Sequence, residues 1–297
     1  MKNMSKKQRN ISSDSLWIAG FLFPGIAFLV IFILIPVFGT LFTSLVSDIT
    51  FMKRQWAGLD NYIRLFNDSA FRQSLGFTIL FILVSVPLET VAGMGLALLM
   101  HVKSPFRGVI RAIILIPWAI PAAVTGRIWE VIYNVNYGLA NYLVSMAGFG
   151  PVNWLGTASG AFIAIVLADL WKTMPFVAII ILAGLSSIPE TLYQQARIDG
   201  ASFVRRFFSI TLPLLRPVIV VALLFRTIDA LRIFDLIYIL TSGGPGGSTT
   251  SLSLLGYKYF IGGDYGYGST LSVVIFLCAF LLSLVVIRLG RFSREVS

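Results

Sequence analysis

The residues best placed to do chemistry in this chain are charged side chains inside apolar runs. Arg226, Asp229, Arg232 and Asp235 recur every three residues in one run, and Asp169, Trp171, Lys172 and Thr173 fall inside another. Side chains three apart on a helix are neighbours, so alternating Arg and Asp can pair along it. Ionisable groups at bilayer depth are expensive and usually face a bundle interior or an aqueous path. Two readings of the Arg226–Asp235 row stay open. It lines a path for a polar solute, or it is a self-neutralised ladder that carries structure or meets a second subunit. An aromatic ring beside hydrogen-bonding groups suits a sugar: the C–H face stacks on the ring, and the hydroxyls take paired donors and acceptors. Trp171, Lys172 and Thr173 fit that chemistry. Trp118, Trp129 and Glu130 are weaker candidates, better suited to filling a core or an interface.

Catalysis has no comparable constellation. The sequence holds no G-x-x-x-x-G-K-[ST] phosphate loop, no H-E-x-x-H and no G-x-S-x-G. No catalytic residue is therefore assigned, and the chain is expected not to hydrolyse ATP itself. The single His101 and the single Cys278 build neither a metal site nor an intrachain disulfide. No metal and no cofactor bound by this chain is expected.

The elements that position these residues follow from composition. Of 297 residues, 57% are hydrophobic and 12% charged, and the mean hydropathy is +0.87. That leaves too little polar surface for a water-soluble globule. The apolar residues gather in runs of about 20 or more, the length that crosses a bilayer as a helix. The expectation is an all-α integral membrane protein with a tail over residues 1–15 and one membrane domain over 16–297. Six spans are read at Leu16–Val46, Ser74–Met100, Ile110–Tyr133, Ser159–Leu185, Pro217–Leu240 and Ser269–Leu289. The net charge of +10 concentrates in loops on one side. Lys2, Lys6, Lys7, Arg9, Lys103, Arg107, Arg111, Arg197, Arg205, Arg206, Arg216, Arg288, Arg291 and Arg294 outnumber Lys53, Arg54, Arg64, Arg72 and Lys258 opposite. This excess places both termini in the cytoplasm, and no basic domain outside the spans supports nucleic-acid binding. In the first outer loop, "WAGLDNYIRLFND" reads as a short helix at the membrane interface.

One loop is too elaborate for a tether. The segment from about 186 to 216 contains "QQARIDGASFVRRFFSITLPLLRP", with Pro189 at a helix start, Ser186 or Ser187 as its cap, and Gly200 as a breaker. The reading is two short surface helices joined by a Gly elbow, the second closed by Pro213 and Pro217. Phe203, Phe207 and Ile210 share a face beside Arg205 and Arg206. A short apolar face with a basic rim lies on lipid or enters a groove on a partner.

The spacing resembles the EAA loop of ATP-binding-cassette (ABC) importer permeases, E-A-A-x3-G-x9-I-x-L-P. Ala196, Asp199, Gly200, Ala201, Ile210, Leu212 and Pro213 match, whereas Gln194 and Gln195 stand where the family has Glu and Ala. "GLDNYIRLFND", "ILIPWAIPAAV" and "TSGGPGGSTTSLSLLGYKYF" are similar to the carbohydrate branch, of the first-subunit, maltose, trehalose or glycerol-phosphate type. The resemblance implies a type I ABC importer permease fold in the inner membrane of a prokaryote. It implies a coupling helix, including Phe203, Arg206 and Phe207, that docks into a cytoplasmic ATPase. It implies a second permease subunit, two ATPase subunits holding ATP and Mg, and an extracytoplasmic sugar-binding protein. It carries sugar contacts to Lys172, Thr173, Phe176, Arg226, Asp229, Ala230 and Ile233, with trehalose or maltose the leading substrates. A self-sufficient secondary transporter or channel for a small polar solute is the rival reading, with Asp229 and Arg232 as its coupling groups.

Overall fold

The computed structural model describes residues 17–18, 20–102 and 104–292. The basic tail over residues 1–15, together with Lys103 and Arg294, lies outside the described residues. The apolar runs form helices because backbone groups in lipid must be paired within their own segment. In chain order the elements are α1 (Gly20–Ser44), β1 (Val46–Ser47), β2 (Gln55–Trp56), α2 (Asp60–Asn67), α3 (Ser69–His101), α4 (Arg107–Ala119) and α5 (Ala122–Ile132). They continue with α6 (Leu139–Met146), α7 (Ala158–Ser187), α8 (Glu190–Ile198), α9 (Phe203–Leu231), α10 (Asp235–Leu240), α11 (Leu252–Ile261) and α12 (Tyr265–Phe292). Among the described residues α1, α3, α7, α9 and α12 are long and apolar enough to cross a membrane.

The expected third span is not one rod. It divides into α4 and α5, which meet at 93° and make a sixth span only if taken together. The bend falls at Ile120 and Pro121, both with extended ψ, 132° and 142°. A proline pushes the residue before it out of the helical region and donates no backbone hydrogen bond.

The fifth span is shifted. It begins at Phe203, runs unbroken past Pro213 and Pro217, and stops at Leu231 instead of Leu240. Thus the second half of the loop is the first part of a spanning helix, not a surface helix. Proline crowds the carbonyl four residues back. For Pro213 that residue is Ser209, inside the π turn Phe207–Thr211; for Pro36 in α1 it is Phe32, inside the π turn Val30–Leu34. The wider turn makes room for the ring in each case. The last span starts at Tyr265, four residues before the expected Ser269.

At the centre α3 and α7 run side by side in the same direction, with α9 antiparallel across them. Gly93 lets α3 and α7 approach: a Cβ there would sit 2.7 Å from Val177 Cγ1. Phe77, Phe81, Ile165, Ala168 and Ile237 fill one part of the core, and Met100, Val177, Ile181 and Leu215 another. In lipid such packing acts by close contact and polar bonds more than by the hydrophobic effect.

The short α2 forms where an interfacial helix is expected. Its Asn61 side chain donates to the carbonyls of Ser44 and Val46 at 2.9 and 3.0 Å, while Ile63 and Phe66 stay exposed. Asp68 caps α3 by accepting from the Ala70 amide at 2.8 Å, and its Oδ2 accepts from the hydroxyls of Tyr259 and Tyr267 at 3.0 and 2.8 Å. Partial burial works to raise the Asp68 pKa, but these donors and the Arg64 charge outweigh it and hold the carboxyl below its ordinary value. Arg64 pairs with Asp264 at 2.9 Å and covers the Tyr267 ring at 4.3 Å. The Asp68 end of the bundle is thus tied across α2, α3, α11 and α12.

Candidate functional site

Arg226 on α9 is 2% exposed and is clasped by carboxylates from three helices. Its Nε and Nη2 donate to the two oxygens of Glu89 on α3, at 2.5 and 3.0 Å. Nη2 also donates to Asp169 on α7 at 3.0 Å, and Nη1 to Asp229 one turn along α9 at 3.3 Å. The planar guanidinium matches a carboxylate in this two-point way, which a lysine cannot do. Asp229 then accepts from Arg232 at 3.3 Å. The Arg226–Asp235 row divides by burial. Arg226 is the buried structural member, while Asp229 and Arg232 keep half or more of their side chains exposed.

Glu89 was not among the residues singled out from sequence. The signal was present: a carboxylate within the long apolar run of α3 is costly unless partnered. Its partner lies 137 positions away, so no local spacing pointed to it.

Lys172 has a different task from its neighbours. Its Nζ donates to the carbonyl of Ile120 at 2.5 Å and lies 3.5 Å from that of Trp118. Those carbonyls end α4, where the bend leaves helix acceptors without intrahelical donors. Lys172 therefore pins the corner between α4 and α5. Trp118 stacks on Phe176 at 5.7 Å, and Phe176 meets Phe225 edge-on at 6.3 Å. Trp118 and Phe225 are exposed and Phe176 is half-buried, so an aromatic strip borders Lys172. Trp171 is half-buried against Trp129 at 6.0 Å. Thr173 is buried and donates to the Asp169 carbonyl at 2.7 Å, while Ala230 and Ile233 are buried in the core. In this conformation the surface-accessible candidates are Trp171, Lys172, Phe176, Asp229 and Arg232. Thr173, Arg226, Ala230 and Ile233 support them from inside.

The coupling segment keeps its elbow. α8 ends in a paired turn: the Ala201 amide donates to the Ala196 carbonyl at 2.9 Å and the Gly200 amide to Arg197 at 3.1 Å, with Gly200 at φ +73°. This is the glycine-terminated helix end in which a side chain at the turning residue would be strained. Tyr193 and Thr211 bond through their hydroxyls at 2.9 Å and brace α8 on α9. Ser186 and Ser187 do not cap α8. Their hydroxyls donate back into α7, to Leu182 and Gly184 at 2.8 and 2.7 Å, and Pro189 precedes the first turn instead. Gln194, Gln195, Asp199, Gly200 and Phe203 are exposed, and Ala196 and Ala201 are half-buried. Arg206, Phe207, Ile210, Leu212 and Pro213 are half-buried along the start of α9.

Residues 89–294, from the Glu89 of the buried clasp through the elbow to the last span, match the binding-protein-dependent transport system inner membrane component family. The chain belongs to that family. It is 50% identical over 275 residues to the trehalose/maltose transport system permease protein MalF of Thermococcus litoralis, covering 92% of this chain and 93% of the relative. It is 40% identical to the sulfoquinovosyl glycerol transport system permease protein SmoG of Agrobacterium fabrum, covering 94% and 91%. A solved bacterial ABC transporter that imports the acidic polysaccharide alginate superposes with a TM-score of 0.84 at 24% identity, over 96% of this chain and 98% of that one. That likeness shows the fold, a type I ABC importer permease. This permease is a multi-pass membrane subunit, and the ATPase of such a system is a separate chain.

Proposed function

We propose that this permease forms half of the membrane path of an ATP-driven importer for a di- or oligosaccharide of the trehalose/maltose class. The observation that carries the sugar reading is the aromatic strip of Trp118, Phe176 and Phe225 beside Lys172 and Asp229. It offers rings for a pyranose face next to a donor and an acceptor for hydroxyls. The relatives named for trehalose and maltose transport support the same class.

In this reading a second, similar permease completes the path, and two cytoplasmic ATPase subunits supply ATP and Mg chemistry. An extracytoplasmic binding protein delivers the sugar. The subunit sits in the inner membrane of a prokaryote with both termini cytoplasmic, as the basic residues of the Gly200 end support. The ATPase grips α8 through Gln194, Gln195, Asp199 and the 85%-exposed Ile198. Its movement enters the membrane through the Tyr193–Thr211 brace on α9. The Arg226 clasp then carries it to α3 and α7, so the lever and the path walls move as one body.

Reconstitution tests the reading. The complete transporter in liposomes should accumulate radiolabelled trehalose or maltose only with ATP and the binding protein. Equal accumulation by the isolated chain without nucleotide would instead establish the self-sufficient transporter.

A further inference from the structure

At the Gly200 end, the last turns of α3 and α7, the start of α4, α8 and the start of α9 surround a cavity of about 1080 Å³. Arg107, Arg197 and Arg206 line it, and among the described residues none of the three makes an ion pair. The Nε of Arg107 is buried without a hydrogen-bond partner. Glu190, the acidic residue of the lining, already has a partner. The remaining wall is largely apolar, and Val102 and Phe203 are exposed on it at the ends of two spanning helices.

Three guanidinium groups without carboxylates call for an anion with several acceptor oxygens. Apolar side chains at the tips of spans call for an acyl chain beside that anion. We propose that this cavity is a binding site for the phosphate-bearing headgroup of an anionic phospholipid, held behind the coupling helix. Basic pockets between spanning helices are suited to such headgroups. Arg206 and Phe207, expected on the ATPase-facing surface, here line the cavity. A lipid held there would fix the angle of α8 to the bundle before any ATPase docks. The inference goes beyond the transport reading and stands or falls independently of the sugar.

The full chain in detergent micelles, titrated with phosphatidylglycerol, phosphatidylcholine or inorganic phosphate and followed by native mass spectrometry, tests it. Phosphatidylglycerol should be retained and phosphatidylcholine not. The pair Arg107→Gln with Arg206→Gln should weaken retention roughly thirtyfold, the loss of two basic contacts at a headgroup. Arg54→Gln, which removes a charge beside Asp48 in the loop between α1 and α2, should leave retention unchanged. Equal retention by the double variant, or equal binding of phosphatidylcholine, would overturn the site. Displacement of phosphatidylglycerol by inorganic phosphate alone would overturn the lipid assignment. Photolabelling of the wild-type chain with a diazirine-bearing phosphatidylglycerol decides without a variant. Label concentrated on residues 98–107 and 197–207 is expected, and label spread evenly over the spans contradicts it.

Discussion

Asp68 and Arg226 each gather partners from three helices, but with opposite chemistry. Asp68, at the end of a span, is one charge held by neutral donors: two phenols and an amide. Arg226, inside a span, is one charge held by three carboxylates. Near water a lone carboxylate keeps its charge with a few hydrogen bonds, and losing one costs little. Within the bilayer an uncompensated charge is the dominant cost, so the cluster must be assembled complete. The comparison teaches that the Asp68 end is a tie that tolerates adjustment, whereas the Arg226 clasp is all or nothing. A clasp of that kind suits a body that must move without coming apart.

Breaking the clasp should give the largest effect. Arg226→Met leaves Glu89 and Asp169 buried without a cation and should cost about 3–5 kcal/mol, read as lost folded yield and thermal stability in detergent. Combining it with Glu89→Gln and Asp169→Asn should recover most of that loss. If the triple variant were no better than the single one, the stability would come from packing instead of charge compensation.

The pinned corner comes next. Lys172→Met frees the Ile120 and Trp118 carbonyls and should cost about 1–3 kcal/mol. Spin labels on α4 and α5 should then report a broadened distance distribution across the 93° bend. An unchanged distribution would assign the bend to Pro121 alone.

The Asp68 tie should give the smallest effect, and its sign is fixed. The folded pKa lies below the ordinary 3.8, so the tie contributes fully above that value and is lost as pH falls through the folded pKa. The protection factor at the start of α3, hydrogen exchange taken relative to the intrinsic rate at each pH, should be flat from neutral pH down to roughly pH 5 and fall in stronger acid. Asp68→Asn should abolish that acid dependence. Loss of protection on raising the pH would contradict the assignment.

Much of this architecture was legible because bilayer crossing demands long apolar runs. The elbow was legible because Gly200 at a fixed spacing has few other uses. Two of the failures turn on proline, in opposite senses: Pro213 and Pro217 are read as a stop where the helix continues, and Pro121 is passed over where the helix breaks. Pro213 and Pro217 lie within an unbroken helix, the first of them accommodated by the π turn that precedes it, whereas Pro121 breaks a run that composition alone shows as continuous. The position of a π turn is not written in composition. Glu89 escaped because its meaning lies in Arg226, and only the fold brings the two together. Lys172 is expected in the substrate path, whereas its bond to the α4 corner depends on a bend that the sequence hid.

The central claim is that the Gly200 elbow passes force from an ATPase into this bundle. The direct measurement is trehalose or maltose uptake and ATP hydrolysis recorded together in liposomes carrying the complete transporter with Gly200→Val. A side chain at φ +73° strains the turn by only about 1–2 kcal/mol, too little to unfold the chain. The account predicts that hydrolysis persists while uptake per ATP falls by roughly tenfold, the factor that 1.4 kcal/mol of lost coupling produces. Unchanged uptake per ATP would contradict it.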